Sequence, residues 1–228
     1  TLKKKKAYRD VKMTYAGRLD PMASGLLLVL LREETKAKDK YLALKKEYSF
    51  EVLFGFATDT YDILGLVTDI INRNVDANIL QSLIKKNLKH FKGTYLQTYP
   101  PFSSRTVDGK PLFEYARNGE SVEIPAREVS VTKLTFLKIR KVKGKKLLEN
   151  IKTRVNKVNG DFRQEEILKT WKNKLYPEVR TTYFIGTYTI SCGSGTYVRS
   201  IAHNLGKRIG IPTLAFSIKR TKIGKWKL

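Results

Sequence analysis

The stretch Tyr15–Leu26 constrains this chain more than any other, because it holds a single acid between two glycines and just ahead of an apolar run. Pro21 pushes Asp20 out of the α region into an extended shape, so the carboxylate is presented rather than coiled into a helix. Gly17 and Gly25 permit a tight turn and the close approach of another backbone. This arrangement suits chemistry or binding. An ordinary Asp-Pro turn between two strands is the alternative interpretation.

The charge balance indicates a polyanionic partner. The 228 residues include 45 Lys and Arg against 21 Asp and Glu, a formal net charge of +24. Cationic side chains displace the counterions that condense on phosphates, which favours RNA or DNA. A membrane surface is the rival, but the sequence has neither an apolar run of about 18 residues nor a signal-peptide core. We therefore expect a nucleic-acid partner in the cytoplasm and no membrane association.

Cysteine and histidine are too scarce for a disulfide scaffold or a histidine-based metal centre. Cys192 is the one cysteine, and His90 and His203 are the two histidines. A lone thiol also fits a reducing compartment. Neither a Gly-rich phosphate loop nor a zinc-ligand spacing occurs. We expect no metal.

Hydrophobic periodicity predicts strands and helices without a regular β-α-β alternation. One strand has an alternating face formed by Tyr48, Phe50, Val52 and Phe54. One helix, capped by Asp76, has an apolar face formed by Ile79, Leu80, Leu83, Ile84, Leu88 and Phe91. Other predicted elements are a buried strand at 26–31, strands at 129–139, 181–192 and 214–223, and helices at 112–117 and 197–209. We expect an α+β fold in which helices flank a mixed, largely antiparallel sheet.

Residues 140–180 form a charged segment that predicts two helices broken at Asn159-Gly160. We interpret the segment as a helical insertion within a single domain that spans residues 1–228. Charge runs of this kind usually cover solvated faces. Three basic regions in one chain (the first twelve residues, 133–180 and 206–228) favour a surface that follows phosphates.

Four segments besides Asp20 are candidates for chemistry, and the fourth is the one that contains Arg199. Tyr48 offers a flat ring on which a base can stack for about 1–3 kcal/mol, or it is an ordinary core aromatic. The segment Gly55–Asp62 holds two carboxylates, which indicates a metal, an acid–base pair or a hydrogen-bonded turn. The long proline-stiffened segment Gln97–Lys110 is typical of a functional loop, with a disordered linker as the alternative.

Arg199 lies in the first turn of the helix that follows Gly195, with Thr196 as the predicted N-cap. A cation there opposes the helix dipole, so we expect an anionic partner, and Asp20 is the obvious candidate. Such a neighbour favours the ionised carboxylate that a nucleophile requires. A purely structural ion pair is the alternative. His203, on the same helix, is expected to be a surface or cap residue.

Taken in order, the motifs resemble those of the TruB-type pseudouridine synthases, which isomerise a uridine in the T-loop of transfer RNA, at position 55. They are G-x-L-D-P-x-A-x-G-x-L around Asp20, K-x-Y at Tyr48, G-x-x-T-D-T-x-D-x-x-G, the P-P-x-x-S…G-K-x-L-x-E-Y-A-R-x-G loop, G-T-Y-V-R-S at Arg199 and the closing I-K-R-T. Each motif is weak singly, but their shared order leaves little room for coincidence.

The resemblance implies a role for each matching residue. Asp20 would be the catalytic carboxylate that attacks the flipped nucleotide, Tyr48 would stack on its base, and Arg199 would pair with Asp20. Tyr197 would line the pocket, and Ile218 would supply apolar packing where the family usually has Leu. Tyr15 and Arg18 are further candidates for substrate contact. The segment 97–119 resembles the loop that clamps the RNA stem-loop.

The resemblance also implies a cofactor-free and metal-free enzyme that acts as a monomer on the T-arm. The chain departs from the family pattern in three places. We expect the K-P-x-G-x-T-S segment that usually precedes the catalytic motif to be absent, and the chain has Thr14-Tyr15 where most bacterial members have G-H. We also expect the C-terminal RNA-binding domain to be absent, with the charged segment and the basic tail partly replacing its phosphate contacts. The alternatives are a non-catalytic RNA-binding or tRNA-folding protein on the same scaffold, and a basic ribosome-associated domain.

Overall fold

The computed structural model describes residues 5–71, 75–175 and 182–228. The strands in chain order are β1 Met13–Ala16, β2 Ser24–Gly25, β3 Leu28–Leu31, β4 Lys46–Phe54, β5 Phe56–Thr58, β6 Val67–Ile70, β7 Gly93–Thr98, β8 Thr106–Val107, β9 Lys110–Pro111, β10 Ala126–Lys143, β11 Thr182–Cys192, β12 Thr213–Ile223 and β13 Trp226–Lys227. The α-helices are α1 Lys38–Ala43, α2 Ala77–Asn87, α3 Leu112–Asn118, α4 Gly144–Val155, α5 Gln164–Leu175 and α6 Val198–Ile209. None of these helices is long and apolar enough to cross a membrane.

A seven-stranded sheet organises the described part of the chain. Its order is β13-β12-β4-β11-β10-β7, and β2 adds to β12. The pairs β10–β11, β11–β4, β12–β4 and β10–β7 are antiparallel, whereas β2–β12 is parallel. The expected mixed, largely antiparallel sheet flanked by helices is therefore confirmed.

Strand β4 sends its side chains into two cores, because successive residues of a strand point to opposite faces. Phe50, Val52 and Phe54 pack with α2 and α6 on one face, as the alternation predicts. Leu53 faces the other way and packs in a second core with residues of α4 and α5, including Trp171. The sheet is therefore covered by helices on both faces, and β4 lies at its centre.

Helix α2 begins where the sequence predicts. The Asp76 side chain accepts hydrogen bonds from the amides of Asn78 and Ile79, which satisfies two free donors of the first turn. The predicted apolar face is too wide, since Ile79 is 62% exposed while Leu80 and Ile84 are fully buried. The sheet covers a narrower stripe of the helix than the apolar residues mark out.

The predicted buried strand at 26–31 is wrong in extent and in burial. Strand β3 covers Leu28–Leu31, and within it Leu30 alone is buried. Its partner is β1, in a separate two-stranded sheet, so its side chains are not covered on both faces.

The charged helical segment begins later than predicted. Strand β10 continues to Lys143, which pairs with Thr182 of β11, so residues 140–143 belong to the sheet. The two helices, α4 and α5, are separated by residues 156–163, which include the predicted break at Asn159-Gly160. Residues 176–181, including the predicted strand start at Thr181, lie outside the described residues.

Candidate active site

A cleft of about 740 Å³ gathers segments that are far apart in the sequence. Its wall is formed by the loop after β1, the start of β4, the turn after β5, the start of α6 and the middle of β12. A volume of this size is ordinary for a small-molecule or cofactor-sized ligand. Six of the seven predicted site residues line it: Arg18, Asp20, Tyr48, Tyr197, Arg199 and Ile218.

Arg199 binds the Asp20 carboxylate through two parallel hydrogen bonds. Its Nε donates to Oδ2 at 2.8 Å and its Nη2 donates to Oδ1 at 2.9 Å. The Arg199 side chain is only 4% exposed, whereas that of Asp20 is 29% exposed, so the carboxylate faces the cleft and the guanidinium lies behind it. The anionic partner that the helix dipole argument requires is therefore present. Bidentate Arg–carboxylate pairs fix orientation as well as charge.

Arg199 makes two further hydrogen bonds, which help to fix the guanidinium. Nη1 donates to the Thr60 carbonyl at 2.7 Å, and Nη2 also donates to the Phe102 carbonyl at 3.3 Å. The Asp62 carboxylate lies 3.7 Å from Arg199 Nε. One arginine thus joins the Asp20 loop, the turn after β5 and the segment after β7.

Asp62 is a second carboxylate of this network. Its Oδ1 accepts hydrogen bonds from the Thr60 hydroxyl and from the Leu64 amide, both at 2.8 Å. Burial raises the pKa of Asp62 to about 6; the Arg199 charge opposes the rise and the Asp20 charge adds to it. Burial alone would lower the pKa of Arg199, but Asp20 and Asp62 outweigh burial and raise it. The guanidinium therefore stays charged between two acids.

The loop that carries Asp20 is fastened at both ends by Arg220, which is 1% exposed. Its Nε donates to the Leu26 carbonyl at 2.7 Å, and its Nη2 donates to the Gly17 carbonyl at 3.1 Å. The Arg220 backbone adds a third contact, because its carbonyl accepts from the Leu26 amide at 3.0 Å. The position of Asp20 is thus set by strand β12 as well as by Arg199.

Tyr48 lies on β4 beside the cleft and is half-buried. Burial raises the pKa of its hydroxyl to about 12, and interactions with the Arg220 guanidinium, including a hydrogen bond, partly oppose the rise. The phenol therefore stays neutral at physiological pH. Ile218 projects from β12, is 4% exposed and lines the same cleft.

Gln97, a buried residue of β7, holds Tyr197 in place. The Gln97 side chain accepts from the Tyr197 amide at 2.8 Å and donates to the Tyr197 carbonyl at 3.2 Å. The Tyr197 ring meets the edge of Tyr99 at a centroid distance of 5.6 Å. The predicted functional loop, Gln97–Lys110, is therefore attached to the cleft; it contains β8 and the start of β9, and the separately predicted helix α3 follows it.

Tyr15 lies on β1, is 41% exposed and does not line the cleft. Arg18 does line it, and Arg18 Nη2 donates to the Tyr15 hydroxyl at 3.0 Å. The two residues form an exposed, hydrogen-bonded pair at the edge of the cleft.

Two predictions around α6 are wrong. Thr196 is not the N-cap: Tyr197 occupies that position, and the Thr196 hydroxyl donates instead to the Gly193 carbonyl at 3.1 Å. His203 is neither a surface nor a cap residue. Its ring stacks on Tyr61 at 3.7 Å, and burial together with Lys207 lowers its pKa to about 4. The stack supports the turn that presents Thr60 and Asp62.

Sequence reasoning missed Asp62, Gln97 and Arg220 as parts of the site. Asp62 and Gln97 stood in segments already singled out, and Arg220 stood in the I-K-R-T motif, but no local pattern separates them from ordinary turn and strand residues. The hydrogen-bonded-turn interpretation of Gly55–Asp62 agrees with the amide contacts of Asp59 and Asp62.

Among the described residues no group of three His, Cys, Asp or Glu side chains could hold a metal ion.

Comparison with known proteins identifies the family of this chain. Residues 4–162 match the family described as TruB family pseudouridylate synthase (N terminal domain). The chain belongs to the TruB family. It is 30% identical to tRNA pseudouridine synthase B of Bacillus cereus, an alignment that covers 99% of this chain and 61% of that TruB protein. It is 29% identical to tRNA pseudouridine synthase B of Aquifex aeolicus, covering 93% of this chain and 58% of that one. The chain thus spans about three fifths of the length of these TruB relatives.

The fold of this TruB-family chain is also found in solved structures. A chain of a Cbf5-Nop10-Gar1 complex superposes on it with a TM-score of 0.51 and 18% sequence identity, covering 95% of this chain and 41% of that one. At that identity the likeness establishes the fold.

Proposed function

We propose that this chain converts uridine to pseudouridine in the T-loop of tRNA, at position 55, with Asp20 as the catalytic carboxylate. Membership of the TruB family and the names of the relatives support pseudouridine formation in tRNA. The observation that carries the catalytic assignment is the Asp20 carboxylate, which is held at both oxygens by a buried Arg199 and still faces the cleft.

The cleft has the features that a flipped nucleotide needs. A uridine in a stacked loop leaves the stack at a cost of a few kcal/mol, so a ring and a shaped pocket must replace the lost contacts. Tyr48 supplies the ring and Ile218 supplies apolar surface in the same wall. The neutral Tyr48 phenol brings no second negative charge toward the anionic backbone of the RNA.

The reaction is an isomerisation, so it needs no co-reactant. The bond between base N1 and ribose C1′ breaks, the base rotates, and a bond forms between C5 and C1′. The proton on C5 leaves to solvent, and N1 becomes protonated. The Asp20 carboxylate can add to C1′, add to C6 of the base, or remove a ribose proton, and each route requires it to be ionised and held still. The two hydrogen bonds from Arg199 hold the carboxylate still and place a positive charge beside it.

The charge of the chain favours a folded RNA as the partner. A net charge of +24 supports phosphate binding that weakens steeply as salt rises. The segment 97–119, which contains β8, β9 and α3, borders the cleft through Phe102, Phe113 and Arg117. By the resemblance, this segment clamps the T-arm stem-loop.

The direct test uses an unmodified T-arm stem-loop carrying uridine with tritium at C5. Incubation with the chain is expected to release tritium, and Asp20→Asn is expected to stop the release while RNA affinity stays within about threefold. Asp69→Asn, the same change at an exposed position of β6, is the matched control and should act like the unsubstituted chain.

The outcome also separates an enzyme from a non-catalytic RNA-binding or tRNA-folding protein. Tritium release by Asp20→Asn at an undiminished rate would end the assignment of this residue. Tight stem-loop binding by the unsubstituted chain with no release at all would favour the binding protein.

A further inference from the structure

The helical hairpin α4–α5 is an excursion that the sheet does not require. Lys143 at the end of β10 and Thr182 at the start of β11 are register partners, and a two-residue turn can join such a pair. The chain instead runs through residues 144–181. Buried residues of both helices, among them Leu147 and Trp171, pack in the second core, so the hairpin is anchored to the sheet.

The tip of this hairpin reaches the cleft. Asp161, Phe162 and Arg163, between the two helices, belong to its wall. Arg163 Nη1 donates to Asp59 Oδ2 at 2.9 Å, and its guanidinium carbon lies 4.5 Å from the Phe102 ring centroid. The tip is therefore joined to two elements that also contact Arg199.

A second anchor comes from α3. Arg117 Nη2 donates to the Asp161 carbonyl at 2.5 Å, which ties the tip to the segment expected to clamp RNA. The Gln164 side chain accepts from the Phe162 amide at 2.9 Å and donates to the Gly160 carbonyl at 2.6 Å. These bonds give the tip a defined shape.

The backbone of the tip is held in an unusual conformation that presents Phe162. Arg163 has φ of +60° and Gly160 has φ of +91°, both in the left-handed region that non-glycine residues seldom enter. A Cβ at Gly160 would stand 3.5 Å from the Phe162 ring, so that ring lies against the backbone of the tip. It is nevertheless 37% exposed. Conformations of this kind persist where surrounding contacts enforce them, and they concentrate at functional sites.

We propose that Phe162 stacks on a second nucleobase of the RNA, next to the nucleotide held at Asp20. The proposal rests on the proposed function. The cleft is larger than one pyrimidine requires, its Phe162 side is flanked by the cations Arg117 and Arg163, and a flat ring between cations fits a base attached to a phosphate backbone. The excursion thereby contributes an aromatic contact to substrate binding.

The test measures T-arm stem-loop binding and turnover for Phe162→Ala, Phe162→Leu and Phe162→Trp. We expect Ala and Leu to weaken binding about tenfold and Trp to bind within about twofold of the unsubstituted chain, because stacking needs a flat ring. The control is Leu137→Ala on β10, which removes an exposed apolar side chain outside the cleft wall and should change nothing. Unfolding temperatures should stay within about 2 °C, since Phe162 is exposed.

A scan of single abasic substitutions in the stem-loop then identifies the stacked base. At one loop position the loss of affinity caused by Phe162→Ala is expected to disappear, because an RNA without that base has no stacking contact for the substitution to remove. An affinity for Phe162→Ala within twofold of the unsubstituted chain, full recovery by Leu, or a penalty unchanged at every abasic position would overturn the proposal. Absence of turnover with Phe162-dependent binding intact would overturn the proposed function alone, and absence of any stem-loop binding would overturn both.

Discussion

The backbone of Gly25 lies so close to that of Arg220 that a Cβ at position 25 would stand 2.2 Å from the Arg220 carbonyl oxygen. The two residues are partners in the parallel pairing of β2 with β12, and Gly25 has φ of +106°. Gly25→Ala must push the two strands apart and so displace the loop that carries Asp20. We expect turnover of the stem-loop to fall by about 10²-fold, the sensitivity typical of a displacement near 1 Å.

Gly93→Ala is the control for this substitution. Gly93 also has a positive φ, of +84°, but an added Cβ would meet no atom within 4 Å. It should lose only about 1–2 kcal/mol of stability from the backbone conformation, with turnover unchanged. Equal effects of the two substitutions on turnover would show that the close approach to β12 is unimportant.

Arg220→Lys is expected to impair the site although it keeps the positive charge. A lysine cannot reproduce the fork that binds the carbonyls of Gly17 and Leu26. A carbonyl left without a partner costs about 1–3 kcal/mol when fully buried and less when, as here, it is partly buried, so urea unfolding should show a loss of about 1 kcal/mol or more. Arg208→Lys, at an exposed position of α6, is the control. An unchanged urea midpoint for Arg220→Lys would contradict the proposed fastening.

Asp62→Asn should change how stability depends on pH. The pKa of Asp62 is raised from 3.8 to about 6, so between pH 6 and 4 the folded chain holds a proton that the unfolded chain lacks. Lowering the pH through this window therefore stabilises the unsubstituted chain relative to the Asn variant, by on the order of 1–3 kcal/mol. Unfolding free energies of both chains at pH 7 and pH 4.5 measure the difference. Asp69→Asn, a surface change, is the control: its unfolding free energy relative to the unsubstituted chain should be the same at pH 7 and pH 4.5.

His203→Phe should have the opposite effect over an overlapping range. The pKa of His203 is lowered from 6.5 to about 4, so between these values the unfolded chain binds a proton that the folded chain does not. The contribution of the neutral, buried His203 to folding stability is complete above pH 6.5 and is lost as the pH falls toward 4. Phenylalanine keeps a ring against Tyr61 without titrating, so the variant should lose less stability on acidification, by on the order of 1–2 kcal/mol. Equal acid sensitivity of the two chains would contradict a buried neutral imidazole.

Local sequence patterns were sufficient to predict an element when the interactions that form it involve residues close in sequence. The alternation around Phe50 and the capping Asp76 predict β4 and α2, because side-chain direction and amide satisfaction depend on residues a few positions away. Burial was harder to predict. Ile79 is exposed and His203 is stacked on Tyr61, because which side of a helix meets the sheet depends on elements elsewhere in the chain.

By itself, the sequence determined the family, the long strands of the central sheet and the longer helices. It also indicated several candidate site residues, because short ordered motifs such as the one around Asp20 record them. Only the tertiary structure decided that Arg199 lies beside two carboxylates, that Arg220 holds both ends of the loop that carries Asp20, and that Phe162 borders the cleft. These contacts join residues up to 203 positions apart. They form because burial of two apolar cores brings distant strands and loops together, and no local pattern records which polar groups then meet.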